Sequence, residues 1–82
     1  MRKTAREVAR EILDGSDVSQ KKLATKMGLK SQQAVFNMLN AKNGMRADNF
    51  IKMMGVLGYD VVVRDRVTDK ETILGVDGRE NK

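Results

Sequence analysis

Ser19-Gln20-Lys21-Lys22-Leu23-Ala24-Thr25-Lys26-Met27-Gly28, followed by Ser31-Gln32-Gln33-Ala34-Val35, decides how this chain folds. Ser19 is an N-cap residue and Gly28 a helix terminator, so the spacing predicts a helix from about Gln20 to Met27. Gly28 stands where the chain must turn out of that helix, and a positive φ is expected there. Leu29-Lys30 continues the turn, and Ser31 caps a second helix running from Gln32 to about Asn40. Ala24 is small at the point where the two helices must cross closely. Leu23, Met27, Leu29 and Val35 close the unit from inside, with Val18 and Leu23 spaced as a hydrophobic staple. The outward positions carry Gln, Asn, Ser and Lys.

Upstream, Thr4 and Glu7 have capping-box spacing for a helix over about Thr4–Asp14. Ala5, Val8, Ala9, Ile12 and Leu13 recur on one face at helical period, and Gly15 is a natural stop. In the helix after Ser31, Val35, Met38 and Leu39 point inward, and Ala41-Lys42-Asn43-Gly44 forms a loop. A further helix is predicted over Ala47–Leu57, with Ala47, Phe50, Ile51, Met53, Met54 and Leu57 on a broad apolar face. Gly55 weakens its middle, which suits close approach of another backbone.

After Gly58 the pattern changes. Asp60-Val61-Val62-Val63-Arg64 reads as a strand, Thr68-Asp69-Lys70 as a turn and Glu71–Val76 as a return strand. Val61 and Val63 share one face and Val62 points to the other. An isolated hairpin is marginal in water, so one side is expected to lie on the helices and the other against a second copy. The predicted fold is thus mainly α: a four-helix body over residues 1–58, a β-hairpin or strand over 59–76 and a frayed end over 77–82.

Composition narrows the function. Eighty-two residues make one domain with a thin core, often completed by dimerisation. With no cysteine there is no disulfide or thiolate metal site, and with no histidine the usual near-neutral general base is missing. No glycine-rich phosphate loop, metal-ligand cluster or activated nucleophile pair is visible, so no enzyme activity, cofactor or metal is expected. The six methionines read as gap-filling core. No apolar run approaches a membrane span and no apolar signal core follows the basic start, so a cytoplasmic chain is expected. The net charge is +5 and unevenly placed. Residues 18–47 carry Lys21, Lys22, Lys26, Lys30, Lys42 and Arg46 without one Asp or Glu. Residues 53–82 carry five cations (Arg64, Arg66, Lys70, Arg79, Lys82) against six carboxylates (Asp60, Asp65, Asp69, Glu71, Asp77, Glu80), or −1. A charge run can be no more than a solvated face; a one-signed block around two capped helices suits a phosphate footprint.

Over Thr4–Leu57 the chain resembles the lambda-repressor/Cro-like (XRE-type) helix-turn-helix family. The resemblance is carried by Ser19-Gln20-x-x-x-Ala24-x-Lys26-Met27-Gly28, by Val35 and by the apolar helix ending in Leu57-Gly58. Two features depart from it. Gly28 to Val35 spans seven residues where the family usually has six, which bears on the tilt of the second helix. The β-tail is also foreign to the minimal domain, and is similar to strands by which some small phage regulators dimerise. The resemblance implies a four-helix DNA-binding domain whose third helix enters the major groove, and a phage or prophage type of regulator.

On that alignment the candidate DNA contacts are Gln20, Lys21, Lys22, Lys30, Ser31, Gln32, Gln33, Phe36, Asn37, Asn40, Lys42 and Asn43. Gln20 starts its helix and can donate to a phosphate; in the family it also braces a polar residue at the place held here by Gln32. Gln32 and Gln33 open the recognition helix, and a glutamine amide can pair bidentately with adenine. Asn37, one turn on, offers similar chemistry. Asn40, Lys42 and Asn43 match positions that contact the backbone and groove edge. Gln20 and Gln32 can instead be merely solvated, and Asn40, Lys42 and Asn43 can be ordinary loop residues. Phe36 either touches a thymine methyl or folds back onto the fourth helix. The expected function is a sequence-specific regulator of transcription, acting as a repressor and as a homodimer through residues 59–76 on a palindromic operator in double-stranded DNA. The alternatives are a protein-binding module on the same fold, such as an antitoxin or an inhibitor of a host enzyme, and a nonspecific nucleoid-type binder.

Overall fold

Four helices precede a two-stranded antiparallel sheet in the computed structural model, which describes residues 2–76. The expected frayed end at 77–82 lies outside the described residues. α1 (Ala5–Asp14) begins at the predicted capping box. The Glu7 N–H donates to Thr4 Oγ1 at 3.1 Å, and the Thr4 N–H donates to Glu7 Oε1 at 2.8 Å. Hydrogen bonding from Thr4, its backbone N–H first and its side chain second, holds the Glu7 carboxyl below its ordinary value. α2 (Gln20–Met27) has the predicted bounds because both ends are capped: Ser19 Oγ accepts from the Lys22 N–H, and Gly28 turns left-handed at φ 76°. α3 (Gln32–Leu39) stops one residue short of the predicted Asn40, which has left the helical region at φ −119°. α4 (Ala47–Val56) ends in a turn closed by the Tyr59 N–H donating to Met54 O at 2.8 Å.

The core is helical. Ala9, Leu13, Leu23, Ala24, Met27, Val35, Leu39, Met53 and Met54 are its buried members, so every helix contributes. Ile12, Val18, Leu29, Met38, Met45, Phe50, Val56, Leu57 and Val61 pack against them half-buried. Each large aliphatic or thioether side chain buried this way stabilises the body by about 1.5–3 kcal/mol. Met27, Met53 and Met54 are buried and Met38 and Met45 partly so, which fits their gap-filling reading. Two details of the fourth helix differ from expectation. Ala47 is exposed in the first turn. Gly55 is also exposed, and a Cβ built there meets nothing within 4 Å, so no backbone approaches it. Among the described residues no helix is long and apolar enough to cross a membrane.

β1 (Val62–Arg64) pairs with β2 (Glu71–Ile73) in the register Val62–Ile73, Val63–Thr72, Arg64–Glu71. The Leu74 N–H donates to Val61 O at 2.8 Å and the Asp65 N–H to Lys70 O at 2.9 Å, closing the hairpin at both ends. The Asp65 carboxylate accepts from the N–H groups of Val67 and Thr68 and shapes the loop, while Asp69 takes a positive φ of 62°. The strands are shorter than predicted, and the expected packing of one whole side onto the helices is not found. Among the described residues of the tail only Val61 joins the helical core, while both strands are exposed throughout. The physical reason is the exit from α4: Gly58 turns left-handed and Tyr59-Asp60, both exposed, carry the chain away from the body.

Candidate nucleic-acid interface

α2, its turn and α3 form one packed unit. Leu23 and Ala24 of α2 are buried, as is Val35 of α3, and the alanine leaves room for the neighbouring helix. The turn leaves α2 through two bonds around Gly28: the Gly28 N–H donates to Thr25 O at 3.1 Å, and the Leu29 N–H to Ala24 O at 2.8 Å. That is a Schellman ending, which requires the left-handed residue observed. Leu29 then packs on the core, Lys30 and Ser31 are exposed, and α3 begins. Ser31 takes the extended N-cap conformation without a side-chain cap bond, leaving its hydroxyl and the first amides of α3 open.

The outer surface of α3 is a field of amides. Gln32, Gln33, Phe36 and Asn37 are all exposed. Gln33 Nε2 donates to Asn37 Oδ1 at 3.2 Å, so two of the candidate residues are joined one turn apart. Phe36 is 49% exposed and does not fold onto α4 as core; it stands on the same row as Gln32. At the start of α3 a cleft of about 350 Å³ is lined by Lys21, Ala24, Thr25, Leu29, Lys30, Ser31 and Gln32. It brings four candidates together: Lys21, Lys30, Ser31 and Gln32. Gln20 does not join them; it is half-buried at the head of α2 and makes no hydrogen bond to Gln32. Lys22 is exposed beside it.

At the other end of α3, Asn40 is already engaged. Its Nδ2 donates to Phe36 O at 2.8 Å, and its Oδ1 accepts from Arg10 of α1 at 2.5 Å. The same Arg10 nitrogen donates to Leu39 O at 3.3 Å, so the arginine caps the end of α3. Sequence reasoning missed Arg10, since no spacing rule connects a polar position of α1 to a carbonyl 29 residues ahead. Lys42 and Asn43 are exposed in the turn that Gly44 closes back onto Ala41 O.

All six cations between residues 18 and 47 are exposed. The ion pairs among the described residues are Lys3–Glu11 and Arg64–Asp69, so none of the six is neutralised by a carboxylate. Among the described residues no three His, Cys, Asp or Glu side chains gather as metal ligands would. Hydrogen-bonding amides on one helix, with unpaired cations at both ends of it, are suited to an extended polyanion that carries donors and acceptors of its own. No family model matches this chain, and no curated protein or solved structure is significantly similar to it.

Proposed function

We propose that this chain is a sequence-specific DNA-binding regulator of transcription, a repressor of lambda-repressor/Cro-like helix-turn-helix type that acts as a homodimer on a two-fold operator. The observation that carries the reading is the exposed amide surface of α3, flanked by unpaired cations. In this reading α3 lies in the major groove with its first turn nearest the bases. Its bond to Asn37 takes one Nε2 hydrogen of Gln33 and leaves the other, together with Oε1. Those are the two groups that a bidentate pair with adenine N7 and N6 needs, so the intramolecular bond orients the reader without using it up. Gln32 and Ser31 read or position at the groove edge, and Phe36 meets a thymine methyl. Lys21, Lys22, Lys30, Lys42 and Asn43 contact phosphates on either side, and affinity falls steeply with salt. Asn40 contributes by fixing the end of α3 with Arg10.

A protein-binding module, such as an antitoxin or an inhibitor of a host enzyme, is the second reading. It is favoured by the exposed apolar side chains of the hairpin, with Val63 54% and Ile73 63% accessible. A homodimer through the same hairpin keeps α3 for DNA. An α3 surface made of amides rather than lysines speaks against a nonspecific nucleoid-type binder. Fluorescence anisotropy on a selected site and on scrambled duplexes separates the readings. Gln33→Ala is expected to lose about 1–3 kcal/mol on the selected site alone, and Lys22→Ala to weaken all duplexes about equally. A Gln33→Ala protein that binds every duplex as the parent does would remove α3 from the interface.

A further inference from the structure

We propose that the open edge of β1 pairs with the same edge of a second copy across a two-fold axis through Val62, making one four-stranded antiparallel sheet. The proposal rests on the homodimer reading above and goes further by naming the edge, the register and the axis.

The direction of the backbone groups comes first. Val61 O receives the Leu74 N–H and the Asp65 N–H reaches Lys70 O, so residues 61 and 65 turn their polar groups toward β2. In an antiparallel ladder these directions alternate, so Val62 and Arg64 turn theirs to the open side. Both residues are exposed, and among the described residues no backbone hydrogen bond reaches either from outside the hairpin. An edge of this kind is a template for another strand.

The side chains then select the register. Asp60-Val61-Val62-Val63-Arg64 is chemically self-complementary when reversed. An axis through Val62 sets Asp60 opposite the partner's Arg64, Val61 opposite the partner's Val63, and Val62 opposite itself. Both charges of each strand then meet an opposite charge, and the three valines meet valines. Moving the axis to Val61 or Val63 sets Asp60 or Arg64 against the partner's Val62. Moving it to Arg64 opposes two guanidinium groups. The outer edge of β2 has no matching register: an axis at Glu71 opposes two carboxylates, and one at Thr72 or Ile73 leaves Lys70 and Glu71 facing apolar residues or glycine.

The same register completes the faces of the sheet. Ile73 already stands opposite Val62, so an apolar row runs from Ile73 through Val62 and the partner's Val62 to the partner's Ile73. Arg64 stands opposite Glu71, so the next row alternates Glu71, Arg64 and the partner's Asp60. Val62, now 42% exposed, gains the partner's Val62 as an apolar neighbour along the sheet, while Ile73 keeps Val62 beside it.

The chain has no cysteine, so single cysteines report the axis directly. At the axis, opposed hydrogen-bonded residues have Cα atoms about 5.5 Å apart, within disulfide range. Two copies of residue 61, or of residue 63, are displaced along the strands to about 8 Å, beyond it. Val61→Cys, Val62→Cys and Val63→Cys are oxidised at the same full-chain concentration, and Val62→Cys is expected to cross-link fastest. In sedimentation, Arg64→Asp or Asp60→Arg is expected to weaken self-association by about tenfold, and the double exchange to restore it. Fastest cross-linking at residue 61 or 63 would overturn the axis and leave a hairpin dimer standing. A dimeric parent with no cross-link at any of the three, and with no response to charge exchange, would overturn the edge pairing. A monomeric parent would overturn the homodimer reading and the proposal together.

Discussion

The same substitution at two glycines is expected to act with opposite sign. At Gly28 and at Gly55 a Cβ meets nothing within 4 Å, so alanine brings no collision at either place and only backbone preference remains. Gly28 is held at φ 76° by the bonds from its own N–H to Thr25 O and from the Leu29 N–H to Ala24 O. Alanine cannot leave the left-handed region without giving those up, and staying there costs about 1–2 kcal/mol. Gly55 lies inside α4, where alanine is preferred by about 0.5–1 kcal/mol. Thermal unfolding followed by far-UV circular dichroism reads the difference, at about 4–8 °C per kcal/mol for a domain of this size. Gly28→Ala is expected to lower the midpoint and Gly55→Ala to raise it. Equal shifts in one direction would refute the reasoning, because they would mean that packing rather than backbone conformation governs these positions. The turn at Gly28 also sets how α3 leaves α2, so this measurement bears on the candidate interface as well as on the fold.

Acid should act on the start of α1. The Glu7 carboxyl is held below its ordinary value by the Thr4 hydrogen bonds, so its stabilising charge is present at neutral pH and lost as pH falls through that lowered value. The midpoint of the parent is therefore expected to exceed that of Glu7→Gln at pH 7 and to converge with it as the pH falls through the lowered value; a constant gap would show that the charge is not responsible. Removing residues 59–82 should leave a folded helical body, since among the described residues every buried one lies before residue 59. That body is expected to sediment as a monomer and to bind operator DNA more weakly; dimerisation of the truncated chain would exclude the hairpin as the interface.

What was legible in the sequence follows the strength of local signals. α2 was bounded correctly because Ser19 and Gly28 cap it by local chemistry, and α1 because Thr4 and Glu7 form their box within four residues. Periodicity alone makes Asn40 helical, because its departure depends on side-chain bonds to Phe36 O and Arg10 that no periodicity reports. Valine content located β1 but could not show how far the hairpin stands from the helices, since that depends on the exit geometry at Gly58. From sequence, an aromatic beside Asn37 suits either a core or a surface; the place of Phe36 on the row of Gln32 resolves it outward. The amides and lysines of the candidate site were visible one by one. Their division into a cleft at the start of α3 and an arginine-braced end needed the tertiary structure.

Selection of duplexes from a random pool, by the full chain at moderate salt, tests the central claim most directly. The expected product is an enriched two-fold-symmetric site, with an adenine preference in each half that Gln33→Ala relaxes and Lys22→Ala does not. A pool that shows no sequence enrichment after repeated rounds, or an enriched site that Gln33→Ala reads unchanged, would contradict sequence-specific recognition through α3.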